Sequence, residues 1–367
     1  MIVKTGTTGV HSGIGKKRVT VGKNKKRGGN EMFVSAKRKI SILFSLFAVF
    51  AMLVAGCSNP SVGNTSSDSG QTEAGSGGSA EKKDKLKIGA TVYYMTEFIT
   101  LATEGLKKEA EEQNVELTVL DANNDVAKQI SQIENLISQK VDAIIVAAVD
   151  SDALAPAVQK AKEAGIPLIG LNMIINSPDV TAYSGPNDVE AGELEMQYVA
   201  DKLSGKGNIV ILEGPIGTSA QLQRREGIHN VLDKNPEIKV LAEQTANWSR
   251  AEALTLMENW LQSFDGQIDA VVAQNDEMAL GAIQALESKG LKDKIPVVGV
   301  DAIKDACESI KNGVQDATVF QDAEKEARQS VQLAIKAIKG EPIEKDNLIK
   351  MELVTKENVD KYLSIYQ

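Results

Sequence analysis

Aromatic residues make up only 4% of this 367-residue protein, and histidine and cysteine appear twice each. Two cysteines cannot build a disulfide framework. Of the two histidines only His229 lies beyond residue 56, which leaves little for a histidine-based metal or catalytic site. A phosphate-cradling loop of the Gly-x4-Gly-Lys-Ser/Thr kind is missing; the nearest stretch, Gly214-Pro215-Ile216-Gly217-Thr218-Ser219, lacks the lysine. Long apolar runs are scarce as well: the one at Ile40–Leu53 is too short for a comfortable membrane span, and a polytopic membrane protein is excluded. With 42% hydrophobic and 25% charged residues, a wholly disordered protein is excluded too. The length suffices for two core-forming units.

The formal net charge of −9 is unevenly spread. Residues 1–56 carry eleven Lys/Arg and a single acid, Glu31, so the remainder has 30 basic and 49 acidic residues, a net of −19. Lys37-Arg38-Lys39, the apolar run and the small residues Val54-Ala55-Gly56 have the layout of a secretory signal. Cys57 follows directly, and this resembles the bacterial lipobox, which implies cleavage after residue 56 and lipid on the Cys57 thiol. Residues 32–56 are thus read as a lipoprotein signal peptide. Residues 1–31 are basic, Gly-rich and without apolar period. Two Gly codons before Met32 can spell a ribosome-binding run, so this segment is read as untranslated leader or as a basic extension. Residues 57–82, rich in Ser, Gly, Asn and Thr, read as a flexible tether.

From Lys85 the pattern repeats: a short run rich in Val and Ile, then an amphipathic stretch. The runs are Lys87–Val92, Glu116–Asp121, Val141–Ala148, Ile166–Asn172, Asn208–Glu213, Lys239–Thr245, Asp269–Gln274 and Ile295–Asp301. Continuous apolar strands alternating with helices predict parallel sheets covered on both faces, and some 280 residues of this pattern predict two doubly wound α/β lobes. Asp125 and Asp152 suit helix N-caps, and Gly165, Gly290 and Gly340 suit helix ends. Several strands end in a polar residue, at Asp121, Asn172, Asn275, Asp301 and Gln321. In open α/β sheets ligands sit beyond the carboxyl ends of strands, so these five could ring a hydroxyl-rich ligand, or each could cap the helix that follows. Cys307 falls in an amphipathic pattern with Ile303, Ala306 and Ile310 and reads as half-buried structure rather than a nucleophile.

Residues 87–362 resemble the ribose-binding group of bacterial solute-binding proteins for ABC transporters. The likeness rests on Val119-Leu120-Asp121-Ala122-Asn123-Asn124, Gly217-Thr218-Ser219-Ala220, Val297-Val298-Gly299-Val300-Asp301 and Ala317-Thr318-Val319-Phe320-Gln321. Ala273-Gln274-Asn275-Asp276-Glu277-Met278-Ala279-Leu280-Gly281 is its most specific motif. The resemblance implies a type I periplasmic binding protein fold, with two lobes joined by a three-stranded hinge: residues 83–185 plus 322–350, and 186–321 plus 351–367. It implies ligand-binding roles for Phe98, Asn172, Arg224, Trp248, Asn275, Asp301 and Gln321, with Arg225 a rival for the arginine position. Tyr93, Thr96, Glu97 and Met173 are further candidates; Glu97 stands where the group has Pro, and Met173 where ribose binders have Arg.

Elementary chemistry agrees with these roles. A flat aromatic ring covers the apolar face of a sugar or cyclitol, Arg224 offers a fork of donors, and Asp301 accepts from hydroxyls. The loss of one Arg and gain of a Glu favour a neutral sugar, polyol or cyclitol other than ribose. The implied function is a lipid-anchored monomer on the outer face of the cell membrane that closes on this ligand and delivers it to ABC permease subunits. The alternative is a receptor for a furanosyl signalling molecule or chemosensory ligand. No cofactor, metal or enzymatic activity is expected. Nucleic acid is not a partner: a signal and a tether precede the core where a repressor would carry its DNA-binding segment, and the exported charge is −19.

Overall fold

The computed structural model describes residues 85–366; the expected leader, signal, lipidated Cys57 and the whole tether lie outside the described residues. The fold starts in one sheet with β1 (Lys87–Val92), α1 (Glu97–Glu112), β2 (Glu116–Asp121), α2 (Val126–Ser138), β3 (Ala143–Val146), α3 (Ala155–Glu163), β4 (Leu168–Leu171) and β5 (Ala182–Pro186). It then builds a second sheet through α4 (Asp188–Lys202), β6 (Lys206–Glu213), α5 (Ser219–Leu232), β7 (Glu237–Thr245), α6 (Arg250–Ser263), β8 (Ala270–Ala273), α7 (Asp276–Ser288), β9 (Val297–Asp301), α8 (Lys304–Lys311) and β10 (Ala317–Phe320). It returns to the first for α9 (Ala323–Ile338) and β11 (Asp346–Ile349), and ends in the second with β12 (Glu352–Thr355) and α10 (Val359–Leu363).

The strand orders are β11-β5-β4-β3-β1-β2 and β12-β10-β9-β8-β6-β7. All paired neighbours are parallel except β12, which runs antiparallel to β10 at the sheet edge. The central strands β3, β4, β8 and β9 are buried at every position, as parallel strands covered on both faces must be. The backbone passes between the sheets after Pro186, after Phe320 and after Ile349.

Local chemistry sets most helix ends. Thr96, Asp125, Thr218, Ser249, Asn275 and Asp322 each accept a backbone N–H of the helix they precede. Gly165, Gly290 and Gly340 follow α3, α7 and α9 with positive φ. Asp152 departs from expectation. The residue at the N-cap of α3 is Leu154, and Asp152 instead accepts from the Asn176 amide at 2.7 Å, because Asp150 already folds this turn by taking the amides of Asp152 and Ala153. Cys307 is fully buried rather than half-buried, its thiol donating to the Ala302 carbonyl at 3.3 Å. Among the described residues no helix is long and apolar enough to cross a membrane.

Candidate functional site

Strand ends from both sheets meet around one buried cavity, with about 260 Å³ of space between its atoms. Tyr93 and Thr96 reach it from the β1–α1 turn, Phe98 from the first turn of α1, and Asn172 and Met173 from the end of β4. The second lobe supplies Arg224 from α5, Trp248 from the β7–α6 turn, Asn275 from the start of α7 and Asp301 from the end of β9. Gln321 lines it from the second crossing. Ten of the eleven candidates read from the sequence therefore share one cavity; Glu97 does not. Asp121 also stays outside, since its carboxylate folds its own turn by accepting from the Asn123 amide at 2.6 Å.

Arg224 is the centre of the network, 3% exposed. Its Nε donates to Asp188 at 2.8 Å, one Nη to the Gln274 carbonyl oxygen at 2.5 Å and the other to the Gln321 side-chain oxygen at 2.7 Å. A guanidinium has five N–H groups, so two are left over. Its nearest approach to the Asp301 carboxylate is 4.0 Å. Two glycines make the placement possible. A Cβ on Gly192 or Gly227 would fall 2.1 Å from a backbone oxygen of the facing helix, so α4 and α5 touch backbone to backbone and Asp188 meets Arg224. Arg225 points away, half-exposed, and pairs with Glu213 and Glu243.

Three lining residues hold positive φ: Asn172 at 62°, Trp248 at 58° and Asp301 at 119°. Such backbone costs about 1–3 kcal/mol per residue and persists where surroundings force it, commonly at binding sites. Trp248 is packed closely enough on Gly214 that a Cβ there would sit 2.0 Å from its ring, and its buried indole N–H has no acceptor among the described residues. The Arg224 guanidinium lies 5.7 Å from the ring centre.

Sequence reasoning missed the acids behind the cavity. Asp188, Glu195 and Glu326 are fully buried, and burial lifts all three carboxyls above the usual range, most strongly Glu195 and Glu326. Burial likewise raises Asp301, with Arg224 working against it. Among the lining residues Arg224 is the sole cation. Nearby, burial moves Asp276 from 3.8 to about 7, opposed by hydrogen bonds from Gln315 and the Ile303 amide. The folded state then keeps a proton that the unfolded state releases near 3.8, so Asp276 should make stability fall as pH rises from about 4 to about 7. Denaturant unfolding at the two ends of that window should show Asp276→Asn losing less stability than wild type.

Direct contacts also join the lobes. The Ser151 amide donates to the Gly217 carbonyl at 3.1 Å, and Ser219 Oγ accepts from the Ile174 amide at 2.8 Å while lying 3.7 Å from Met173 Sδ. On the other side of the cleft, Glu97 Oε1 accepts from the Lys304 amide at 3.2 Å. Lys304 is the first residue of α8, whose own N-cap position, Ile303, offers no side-chain acceptor. Glu97 is thus a helix cap supplied across the cleft and not a wall of the cavity. A larger space of about 740 Å³, open to solvent, lies behind Phe98 and Asp301; the Lys108 and Glu324 side chains at its rim pair with each other.

A family model described as a periplasmic binding protein domain matches residues 88–342. The sequence is 47% identical over 291 residues to the xylitol-binding protein of Mycolicibacterium smegmatis, covering 79% of this protein and 83% of that one. It is 36% identical to the ribose import binding protein of Bacillus subtilis, covering 74% and 88%. Among solved structures, an ABC transporter solute binding protein from Bacillus halodurans with bound myo-inositol matches at a TM-score of 0.74 and 42% identity, covering 76% of this protein and 98% of that one.

Proposed function

The protein belongs to the periplasmic binding protein family, and from that premise we propose that it captures a neutral polyhydroxy compound, a sugar, polyol or cyclitol, between its lobes and hands it to an ABC transporter permease. The observation that carries this is the single cavity where a donor fork, a carboxylate, three amides and aromatic rings converge from both lobes. Hydroxyls both donate and accept, and this set answers them in both senses, while Phe98 and Trp248 offer apolar faces to the C–H groups of a cyclic or open polyol. An anion suits the cavity poorly, because its one cation is already paired with Asp188. The relatives' xylitol, ribose and myo-inositol all belong to the proposed class.

Entry requires motion. Every residue lining the cavity is buried and the lining comes from both lobes, so the lobes must separate to admit a five- or six-carbon polyol and then close on it. Lipid on Cys57 and the tether that follows would keep this carrier beside its permease at the outer face of the membrane. The protein acts as a carrier rather than a catalyst.

A thermal-shift screen against sugars, polyols, cyclitols and furanosyl signalling molecules tests the reading. A micromolar ligand at millimolar concentration stabilises by about 4 kcal/mol, enough to raise the unfolding temperature measurably. A flat response to the whole panel would count against it. Glu97 gives a second test. It touches the other lobe but not the cavity, so Glu97→Ala should weaken every ligand by one common factor, about fivefold for the loss of a cap worth about 1 kcal/mol. Calorimetric titration with two unlike ligands distinguishes that uniform loss from a change in selectivity.

A further inference from the structure

One connected line of buried side chains crosses the hinge. Asp188 accepts from Arg224, and Arg224 donates to the Gln321 side-chain oxygen. Gln321 Nε2 in turn donates to Glu326 Oε2 at 3.5 Å, and Asn172 Nδ2 donates to that same oxygen at 3.1 Å. Asp188 and Arg224 belong to one lobe, Gln321 to the crossing, and Glu326 and Asn172 to the other lobe. The directions of these bonds are dictated. Arginine can only donate, so the Gln321 carbonyl oxygen must face it and the amide nitrogen must face Glu326. The carboxyl oxygen that receives this nitrogen also receives that of Asn172.

Glu326 itself is outside the ligand cavity. It sits in the first turn of α9, fully buried, with its backbone oxygen held by Ser184 Oγ at 2.8 Å and its Oε1 without a partner among the described residues. Both of its side-chain bonds go to residues that do line the cavity. With one N–H bonded to Glu326, Asn172 keeps its carbonyl oxygen and its second N–H, both in the orientation which that bond fixes.

We propose that Glu326 is a specificity-determining positioning residue, which holds the Asn172 and Gln321 amides in one orientation so that the Asn172 carbonyl oxygen meets the ligand at one fixed place. This rests on the reading that the cavity binds a polyhydroxy compound. Its consequence is that the ligand must place a hydroxyl hydrogen at the Asn172 carbonyl oxygen, and an ether or keto oxygen at that point is rejected, as a buried acceptor would meet an acceptor.

The test uses Glu326→Leu, which removes the oxygen that both amides share, and Glu326→Gln, whose amide oxygen has two lone pairs and can take both bonds. Myo-inositol, xylitol and ribose serve as probes, with monodeoxy and mono-O-methyl forms of whichever binds best. Calorimetry should show Glu326→Leu losing about tenfold in affinity for that probe, equivalent to one lost hydrogen bond, and losing much of the discrimination against one deoxy or O-methyl form. Glu326→Gln should recover both to within about threefold. Equal losses for all probes in Glu326→Leu, its unchanged affinity, or failure of a folded Glu326→Gln to recover would overturn the proposal. Should Glu326→Leu not fold, Glu326→Ala, which leaves room for water, takes its place. Asp301→Ala separates the two levels: if it also binds normally, the ligand reading itself fails, whereas its loss of binding beside an indifferent Glu326→Leu sinks only the role of Glu326.

Discussion

Asp301→Ala is expected to lower ligand affinity at least about 100-fold, since a carboxylate accepting from two hydroxyls makes two charge-assisted bonds of about 1.5–3 kcal/mol each. The unligated protein should be as stable as wild type, or more so. Asp301 is 7% exposed, its carboxylate is 4.0 Å from the nearest Arg224 nitrogen, and its backbone is held at a φ of 119°. Burial raises its carboxyl, so the folded state carries the cost of a charge it does not fully pair. Removing that charge relieves the fold and ruins the site, which is the usual exchange of stability for function. Calorimetric titration and denaturant unfolding of the same sample measure the two effects separately. A variant that is destabilised yet binds normally would show that Asp301 is structural.

Arg224→Met should have the opposite profile, failing in stability as well as binding. The guanidinium answers Asp188, the Gln274 carbonyl and Gln321 in three fixed directions, and Asp188 is fully buried with its second oxygen already unpartnered among the described residues. Stripping the cation leaves an uncompensated carboxylate, a loss of about 3–5 kcal/mol in unfolding free energy. Arg224→Lys should recover little, because one ammonium cannot span three acceptors set around a planar fork. Adding Asp188→Asn to Arg224→Met should restore most of the stability but none of the binding. That separation distinguishes the two jobs of Arg224, holding α4 against α5 and offering its remaining N–H groups to the cavity.

Much of this site was legible because it is written at strand ends. Asn172, Asn275 and Asp301 follow continuous apolar runs, and a parallel sheet sends all such ends to one edge. The same rule failed at Asp121, where a carboxylate two residues before Asn123 found a nearer partner in its own turn. Asn275 shows that the two readings of a strand-end residue are compatible, since it caps α7 through Met278 and lines the cavity as well. The short strands flanking the crossings were harder to see: β5 carries Gly185 and Pro186, and β11 is largely exposed, so neither has an apolar run. Asp188, Glu195 and Glu326 could not be distinguished from solvated acids in a region holding 49 of them. Their burial follows from how helices pack, which single-residue chemistry does not encode. Glu97, a ligand-binding candidate by its place in the sequence, instead meets the bare N-terminus of α8, 207 residues further along.

Closure of two lobes on a ligand held in the buried cavity is the proposal on which the binding expectations above rest. Small-angle X-ray scattering, during titration with the compound giving the largest thermal shift, tests it head-on. The radius of gyration should fall as ligand is added and level off at one equivalent, with Asp301→Ala showing no contraction at the same concentrations. Saturable binding with an unchanged radius of gyration would contradict closure.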